Sequence, residues 1–239
     1  MIFSNKRILV TGGSGSIGKV ICEYFSTEGA EVLSIDKIFS KGAYKTEVVD
    51  FILDEDWESR LVNIVEAMTT IDVLINCAGF TNDSVDIFDL QNLNHNLKVN
   101  LIVPFKLISL AISKALSKNM PLSIINVTSL GSLLGFPKNP SYQASKAALA
   151  QLTRSITVDF ASESIRCNNL VPGYIKSNMT LNSWSDEEMF GSRKNRTAMS
   201  RWGMPEDLIG AVKFLASPDS AYVTGLDLVV DGGWSVKGL

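Results

Sequence analysis

The stretch YQASK sets Tyr142 and Lys146 four residues apart, so that on a helix both side chains share one face. A phenol and an ammonium at that spacing suit proton transfer. A free tyrosine ionises at about pH 10 and serves as an acid/base near neutrality only where positive charge lowers its pKa, which the lysine supplies. Upstream, Ser129 closes the apolar run SIINVTS, and its hydroxyl can donate to a substrate carbonyl oxygen. Each feature also has an ordinary reading, as an exposed helix pair and as a turn serine. Their order along the chain gives the chemical reading its weight.

A second group lies near the start, in TGGSGSIG from Thr11 to Gly18. It follows the apolar run RILV and precedes a segment in which Ile17, Val20, Ile21, Tyr24 and Phe25 recur at helical period, so it reads as a strand-to-helix turn. Gly12, Gly15 and Gly18 fit the three needs of such a turn at a pyrophosphate: reversal of the chain, close approach to the ligand, and tight packing of helix on strand. Ser14, Ser16 and Ile17 complete the candidate phosphate contacts. Asp36 ends the next strand, about 20 residues on, where a carboxylate accepts hydrogen bonds from ribose hydroxyls and repels a 2′-phosphate. Lys37 offsets part of that repulsion, and NAD is favoured over NADP as the cofactor.

The elements that must hold these residues follow from alternation. RILV, EVLSID, EVVDF, IDVLINCAG, LSIINVTS, SIRCNNLVPG and GLDLVV read as strands. Helical patterns separate most of them, over 16–29, 54–68, 93–116, 142–162 and in PEDLIGAVKFLAS. That is the pattern of an α/β Rossmann-like fold, a doubly wound parallel sheet of seven or so strands with helices on both faces. We expect one domain over residues 1–239. The segment between Asp36 and Glu47 is too short for a full crossover helix. A polar stretch over 175–201, between the sixth strand and the last helix, is a candidate lid. It carries Arg193, Lys194, Arg196 and Arg201, which suit either an anionic substrate or a solvated helix face, while Met179, Trp184 and Met189 can form an apolar wall or pack the lid down.

Composition narrows the classes. A chain of 239 residues with 46% hydrophobic content can bury one sizeable core, and a net charge of −3 provides no basic footprint for nucleic acid. MIFSNKRILV turns into a strand too soon for a signal sequence, and we find no apolar run approaching the roughly 18 residues that cross a bilayer, so the expectation is a cytoplasmic protein without a membrane partner. Cys22, Cys77 and Cys167 read as core residues, not as ligands, and no metal site is expected. His95, the sole histidine, is assigned no catalytic role.

TGGSGSIG, Asp36, NCAG at 76–79, the pair Val99 and Asn100, the Ser129 strand end, YQASK, NNLVPG at 168–173, RWGMPEDL and YVTGLDLVVDGG together resemble the compact, single-domain branch of the short-chain dehydrogenase/reductase family. The resemblance implies that Tyr142 is the acid/base, that Lys146 lowers its pKa and binds the nicotinamide ribose, and that Ser129 steadies the substrate oxygen. It further implies that Asn100 holds a water linking Lys146 to solvent. Asn76, Ala78 and Gly79 would line the adenosine half of the cofactor, with Asp50 and Phe51 at the adenine. Pro172, Gly173, Ile175 and Ser177 would shape the nicotinamide pocket. The implied activity is interconversion of a secondary alcohol and a ketone on a small molecule, with a sugar, polyol or sugar acid among the candidates, by a homotetramer or homodimer.

Two departures bear on that expectation. Cys77 replaces a more usual asparagine, which we read as a packing change. The glycine spacing GxxGxxG is that of the family's extended branch, whereas the compact branch has glycine where this chain has Ser16. The rest of the chain leaves no room for the extended branch's added domain, so we expect a compact enzyme in which Ser16 accepts a backbone conformation usually given to glycine. Three alternatives remain at this level: a 3-oxoacyl-thioester reductase, disfavoured by Met120 and Glu163 where carrier-gripping arginines are expected; an epimerase-like enzyme that retains NAD; and an NAD-sensing binding protein.

Overall fold

The computed structural model describes residues 1–82 and 86–237. Seven strands form one sheet: β1 (Arg7–Thr11), β2 (Glu31–Asp36), β3 (Lys45–Val48), β4 (Val73–Asn76), β5 (Leu122–Val127), β6 (Ile165–Pro172) and β7 (Asp227–Val230). Their order is β3-β2-β1-β4-β5-β6-β7, and every pair is parallel. The apolar runs explain this directly. A strand buried on both faces needs no alternation, and all four residues of β4 and all six of β5 are buried.

Helices cover both faces. On one side α2 (Trp57–Ala67), α4 (Val103–Lys118) and α5 (Pro140–Phe160) pack Leu61, Val65, Leu107, Ile108 and Ile112 against Leu9, Leu74 and Ile124. On the other, α1 (Ser16–Thr27) and α8 (Ile209–Ala216) press Ile21, Phe25, Val212 and Leu215 onto Ile8, Val10, Ile75 and Ile125. The link from β2 to β3 contains no helix, as its length predicts.

The helix expected over 93–116 is composite. It begins as α3 (Leu90–Leu97), widens into a π turn over Lys98–Ile102, and continues as α4, with Pro104 at its start. Within Leu90–Lys118 an 18-residue window reaches a mean hydropathy of 1.6, enough to cross a membrane by length and composition alone, which corrects the reading that no such run exists. Half of that window is buried inside the fold, as in a core helix.

Sheet order creates the site. β1 lies between β2 and β4, so connections leave it in opposite directions and a crevice opens beyond its C-terminal end.

Candidate active site

The crevice, with a volume of about 340 Å³, is lined by Gly12, Ser14, Gly15, Ser16, Ile17, Gly18, Asp36, Asp50, Phe51, Ala78, Gly79 and Ser177 among the expected residues. Lys37, Ile38, Cys77, Phe80 and Val99 join them, as do Asn178 and Met179. The turn after β1 is built by contact. Gly12 has φ +77°, and a Cβ there would stand 2.8 Å from the Ala78 backbone. A Cβ on Gly18 would stand 2.1 Å from the Gly12 carbonyl oxygen, so helix and turn touch. At Gly15 an added Cβ meets only that oxygen, at 3.3 Å. Gly13, which sequence spacing did not single out, is needed because Ser34 Oγ would lie 2.2 Å from its Cβ.

α1 starts after Gly15 with no side-chain cap and no acidic residue in its first turn. Its first N–H groups therefore face the crevice without a side-chain acceptor, which is the donor set a pyrophosphate requires. The residues fit a dinucleotide. Ser16 departs from expectation, for it is the first residue of α1 and is not among the positive-φ residues. The turn reverses at Gly12 instead, which relieves position 16 of any strain. Asp36 is fixed from both sides: Oδ2 accepts the Ser14 N–H at 2.9 Å and Oδ1 the Ile38 N–H at 3.1 Å.

On the facing wall the Thr11 hydroxyl accepts the Cys77 and Ala78 N–H groups, both at 3.1 Å, and pins the turn after β4. Eight expected residues are not part of that lining: Asn100, Ser129, Tyr142 and Lys146, which group beside it, and Asn76, Pro172, Gly173 and Ile175, which face elsewhere. Asn76 is buried and donates from Nδ2 to Asn126 Oδ1 at 2.7 Å, because its side chain belongs to a polar row inside the sheet. Asn126 then donates to Thr153, and Thr153 to Asn169. Gly173 backs onto Asp231, 2.6 Å from its would-be Cβ, while Pro172 ends β6 and Ile175 is buried in the core beside α8.

The catalytic candidates meet at the start of α5. Asn139 caps that helix, its Oδ1 accepting the Tyr142 N–H at 3.3 Å, and Pro140 opens it. Tyr142 therefore sits in the first turn, where the helix dipole favours a phenolate. Lys146, one turn on, is buried and donates from Nζ to the Val127 carbonyl at 2.8 Å. A Cβ on Gly79 would lie 3.8 Å from that Nζ, so the lysine reaches the end of the crevice. Ser129 has extended backbone and accepts the Gly131 N–H at 3.1 Å, which leaves its own proton to donate.

Asn100 lies inside the π turn, wholly buried. It accepts the Phe80 N–H at 2.8 Å and donates to the Phe80 carbonyl and to Ser145 Oγ, each at 2.9 Å. Ser145 donates in turn to the Tyr142 carbonyl at 2.7 Å. Asn100 is thus tied directly to the helix that carries Tyr142 and Lys146. Gln143 is another residue that spacing did not reveal. Its amide brackets the loop after Ser129, accepting the Phe136 N–H at 2.7 Å and donating to the carbonyls of Phe136 and Asn139.

Burial pushes the Tyr142 phenol up, with the Ser129 hydroxyl pulling the other way. Lys146 is lowered to about 8, first by burial, with Cys77 opposing. Its nitrogen stands 5.8 Å from the Tyr142 ring centre. In the protein alone burial dominates at the phenol, so the lowering expected from the Lys146 ammonium together with an oxidised nicotinamide ring has that desolvation to overcome. Burial pushes Cys77, on the crevice wall, and Cys167, in the core, up to about 12, which keeps both thiols protonated; the expected core placement holds for Cys22 and Cys167 and not for Cys77.

The lid is an excursion closed at its neck. Ile175 and Gly203 bridge, with Lys176 N–H donating to the Gly203 carbonyl and Gly203 N–H to that of Tyr174, both at 2.9 Å. Inside it lie α6 (Leu181–Ser185) and α7 (Glu187–Arg196), so it is a helical flap. Three of its cations lie on aromatic faces: Arg193 on Tyr174 at 4.8 Å, Arg196 on Trp234 at 4.2 Å, and Lys176 between Trp184 and Phe190, whereas Lys194 makes no such contact among the described residues. Arg201 is bidentate to Asp207 and is thereby occupied. Among the described residues no group of three or more metal-ligating side chains occurs.

Residues 12–235 match the family described as enoyl-(acyl carrier protein) reductase. The chain is 32% identical over 240 residues to galactitol 2-dehydrogenase (L-tagatose-forming) of Cereibacter sphaeroides, covering 95% of this chain and 94% of that one. It is 33% identical over 243 residues to a 3-oxoacyl-[acyl-carrier-protein] reductase of Rickettsia typhi, covering 97% of each. Among solved structures, 4-hydroxyisoleucine dehydrogenase complexed with NADH superposes with a TM-score of 0.91 at 25% identity, covering 98% of this chain and 100% of that one. A putative NAD(P)-dependent gluconate 5-dehydrogenase from Beutenbergia cavernae, with bound NADP, also scores 0.91, at 28% identity, over 98% of this chain and 99% of that one.

Proposed function

Since the chain belongs to the short-chain dehydrogenase/reductase family and is a nicotinamide-dependent oxidoreductase of hydroxyl and keto groups, we propose that it uses NAD to interconvert a secondary alcohol and a ketone on a polyol, sugar or sugar acid. The observation that carries the reading is the grouping of Ser129, Tyr142 and Lys146, whose ammonium lies against the Gly79 wall of a crevice that also presents the Asp36 carboxylate.

When bound, the nicotinamide supplies hydride acceptance and donation. Ser129 donates a hydrogen bond to the substrate oxygen, holding it against Tyr142. In the oxidative direction Tyr142, as phenolate, would take the hydroxyl proton, and in reduction it would return it. Lys146 and the positive end of α5 would stabilise the phenolate. Asp36 receives ribose hydroxyls through the lone pairs that Ser14 and Ile38 leave free, and it opposes a 2′-phosphate. Among the described residues no ion pair neutralises it.

The lid supports an acidic or polyhydroxylated substrate. Arg193 Nε is buried without an acceptor, and Trp234 Nε1 is likewise unpartnered. A carboxylate satisfies such donors. The relatives whose names include galactitol and gluconate agree with that chemistry. A 3-oxoacyl-thioester reductase is the second reading, favoured by the Rickettsia typhi relative and opposed by Met120 and Glu163. A homotetramer or homodimer in the cytoplasm belongs to the same proposal.

The test is fluorescence titration with NADH and NADPH, followed by assays on polyols, sugar acids and a short 3-oxoacyl thioester. NADH is expected to bind at least about tenfold tighter, a difference of about 1.4 kcal/mol. Tyr142→Phe should lower turnover by about 10²–10⁴ while NADH affinity stays within a few-fold. Preference for NADPH, or full turnover in Tyr142→Phe, overturns the assignment.

A further inference from the structure

The lid touches the glycine turn at one polar point, where the Asn178 N–H donates to Ser16 Oγ at 3.1 Å across 162 residues of sequence. Asn178 starts a short turn whose shape is fixed independently: the Ser177 N–H donates to Thr180 Oγ1 at 3.0 Å, and Thr180 Oγ1 donates to the Ile175 carbonyl at 2.6 Å. The next residue reaches the opposite wall. The Met179 methyl lies 3.2 Å from where a Gly79 Cβ would stand, beside Asn100 and Lys146. Residues 177–179 therefore form a strap over the crevice, seated on the start of α1 at one side and on the turn after β4 at the other.

We propose that Ser16 is a positioning residue that latches this strap and couples its closure to cofactor retention, an inference that rests on reading the crevice as the dinucleotide site. A hydroxyl both accepts and donates. The Ser16 oxygen is engaged by the strap, which leaves its proton for a pyrophosphate oxygen at the uncapped start of α1. One side chain thus links lid and ligand. A glycine at position 16 offers neither bond, and the ordinary helical backbone of Ser16 shows that the serine is there without strain to offset. The latch is exposed in the protein alone; a phosphate against it adds charge-assisted strength.

Two readouts test this. Release of NADH, followed by stopped-flow displacement, should be about three- to tenfold faster in Ser16→Ala and Ser16→Gly, the worth of one hydrogen bond. Asn178→Pro removes only the strap's donor, at a turn-initial position that tolerates proline, and should speed release by no more than Ser16→Ala, which also loses the phosphate bond. The double variant should be no faster than Ser16→Ala, and Ser16→Thr should keep release slow. In cofactor-free protein, hydrogen exchange at residues 177–181 should rise in Ser16→Ala and Asn178→Pro alike. Unchanged release with unchanged exchange, or additive effects in the double variant, overturns the latch. Failure of the wild-type protein to bind NADH sinks the cofactor reading instead, and exchange in cofactor-free protein still decides whether the strap is held by Ser16.

Discussion

Lys146 shows how burial and function oppose each other at a single residue. Its ammonium is desolvated, and its pKa falls from 10.5 to about 8. Between those values the unfolded chain binds more protons at this residue than the folded one, so this group's contribution makes stability rise as pH climbs from about 8 to 10.5. Below about 8 the full cost of the buried charge is present. We expect the stability of the wild-type protein relative to Lys146→Met to increase across that window, measured by urea unfolding at stepped pH. A flat difference refutes the buried-charge account. Turnover should fall in Lys146→Met at every pH, because the phenol, raised by burial, loses a stabilising cation. Tyr142, Lys146, Ser129 and Asp36 were legible in the sequence because helical spacing and strand ends carry geometry in one dimension. Asn76 was misread for the converse reason: its strand-end position says nothing about whether a side chain faces a ligand or a neighbouring strand.

Among the elements, the loop from Ser129 to Asn139 is held chiefly by Gln143, the residue beside the catalytic tyrosine. Gln143→Ala removes three hydrogen bonds from that loop while leaving the Asn139 cap and the glycine turn intact. The expected result is a substrate KM raised by about tenfold, with NADH affinity unchanged within twofold, read by steady-state kinetics and titration. Equal losses in both would mean that the loop also supports the cofactor. The composite helix from Leu90 to Lys118 gives a similar lesson. Its apolar period predicted a helix but not the π turn that lodges Asn100 against Phe80 and Ser145. Such widening depends on side chains arriving from α5 and from the turn after β4, which no local pattern contains.

For the whole molecule, the outer faces of the composite helix and α5 leave Ile102, Phe105 and Val158 exposed, the last at 85%. Apolar side chains grouped on an outer face suit association. We expect sedimentation to show a dimer or tetramer, and Phe105→Lys to shift it toward smaller species; a wild-type monomer at micromolar concentration refutes this. Sequence alone determined the parallel α/β architecture, the abbreviated second crossover, the glycine turn and the Tyr142–Lys146 pair, because burial on two faces, helical period and chain length are properties of short segments. Only the tertiary structure decided that Gly13 packs on Ser34, that Asn76 serves the sheet interior, and that Arg193 and Arg196 of the lid rest on aromatic rings. It alone brought Asn178 to Ser16. Contacts between segments far apart in the chain depend on how the sheet orders and twists its strands, and that arrangement exists only once the core has closed.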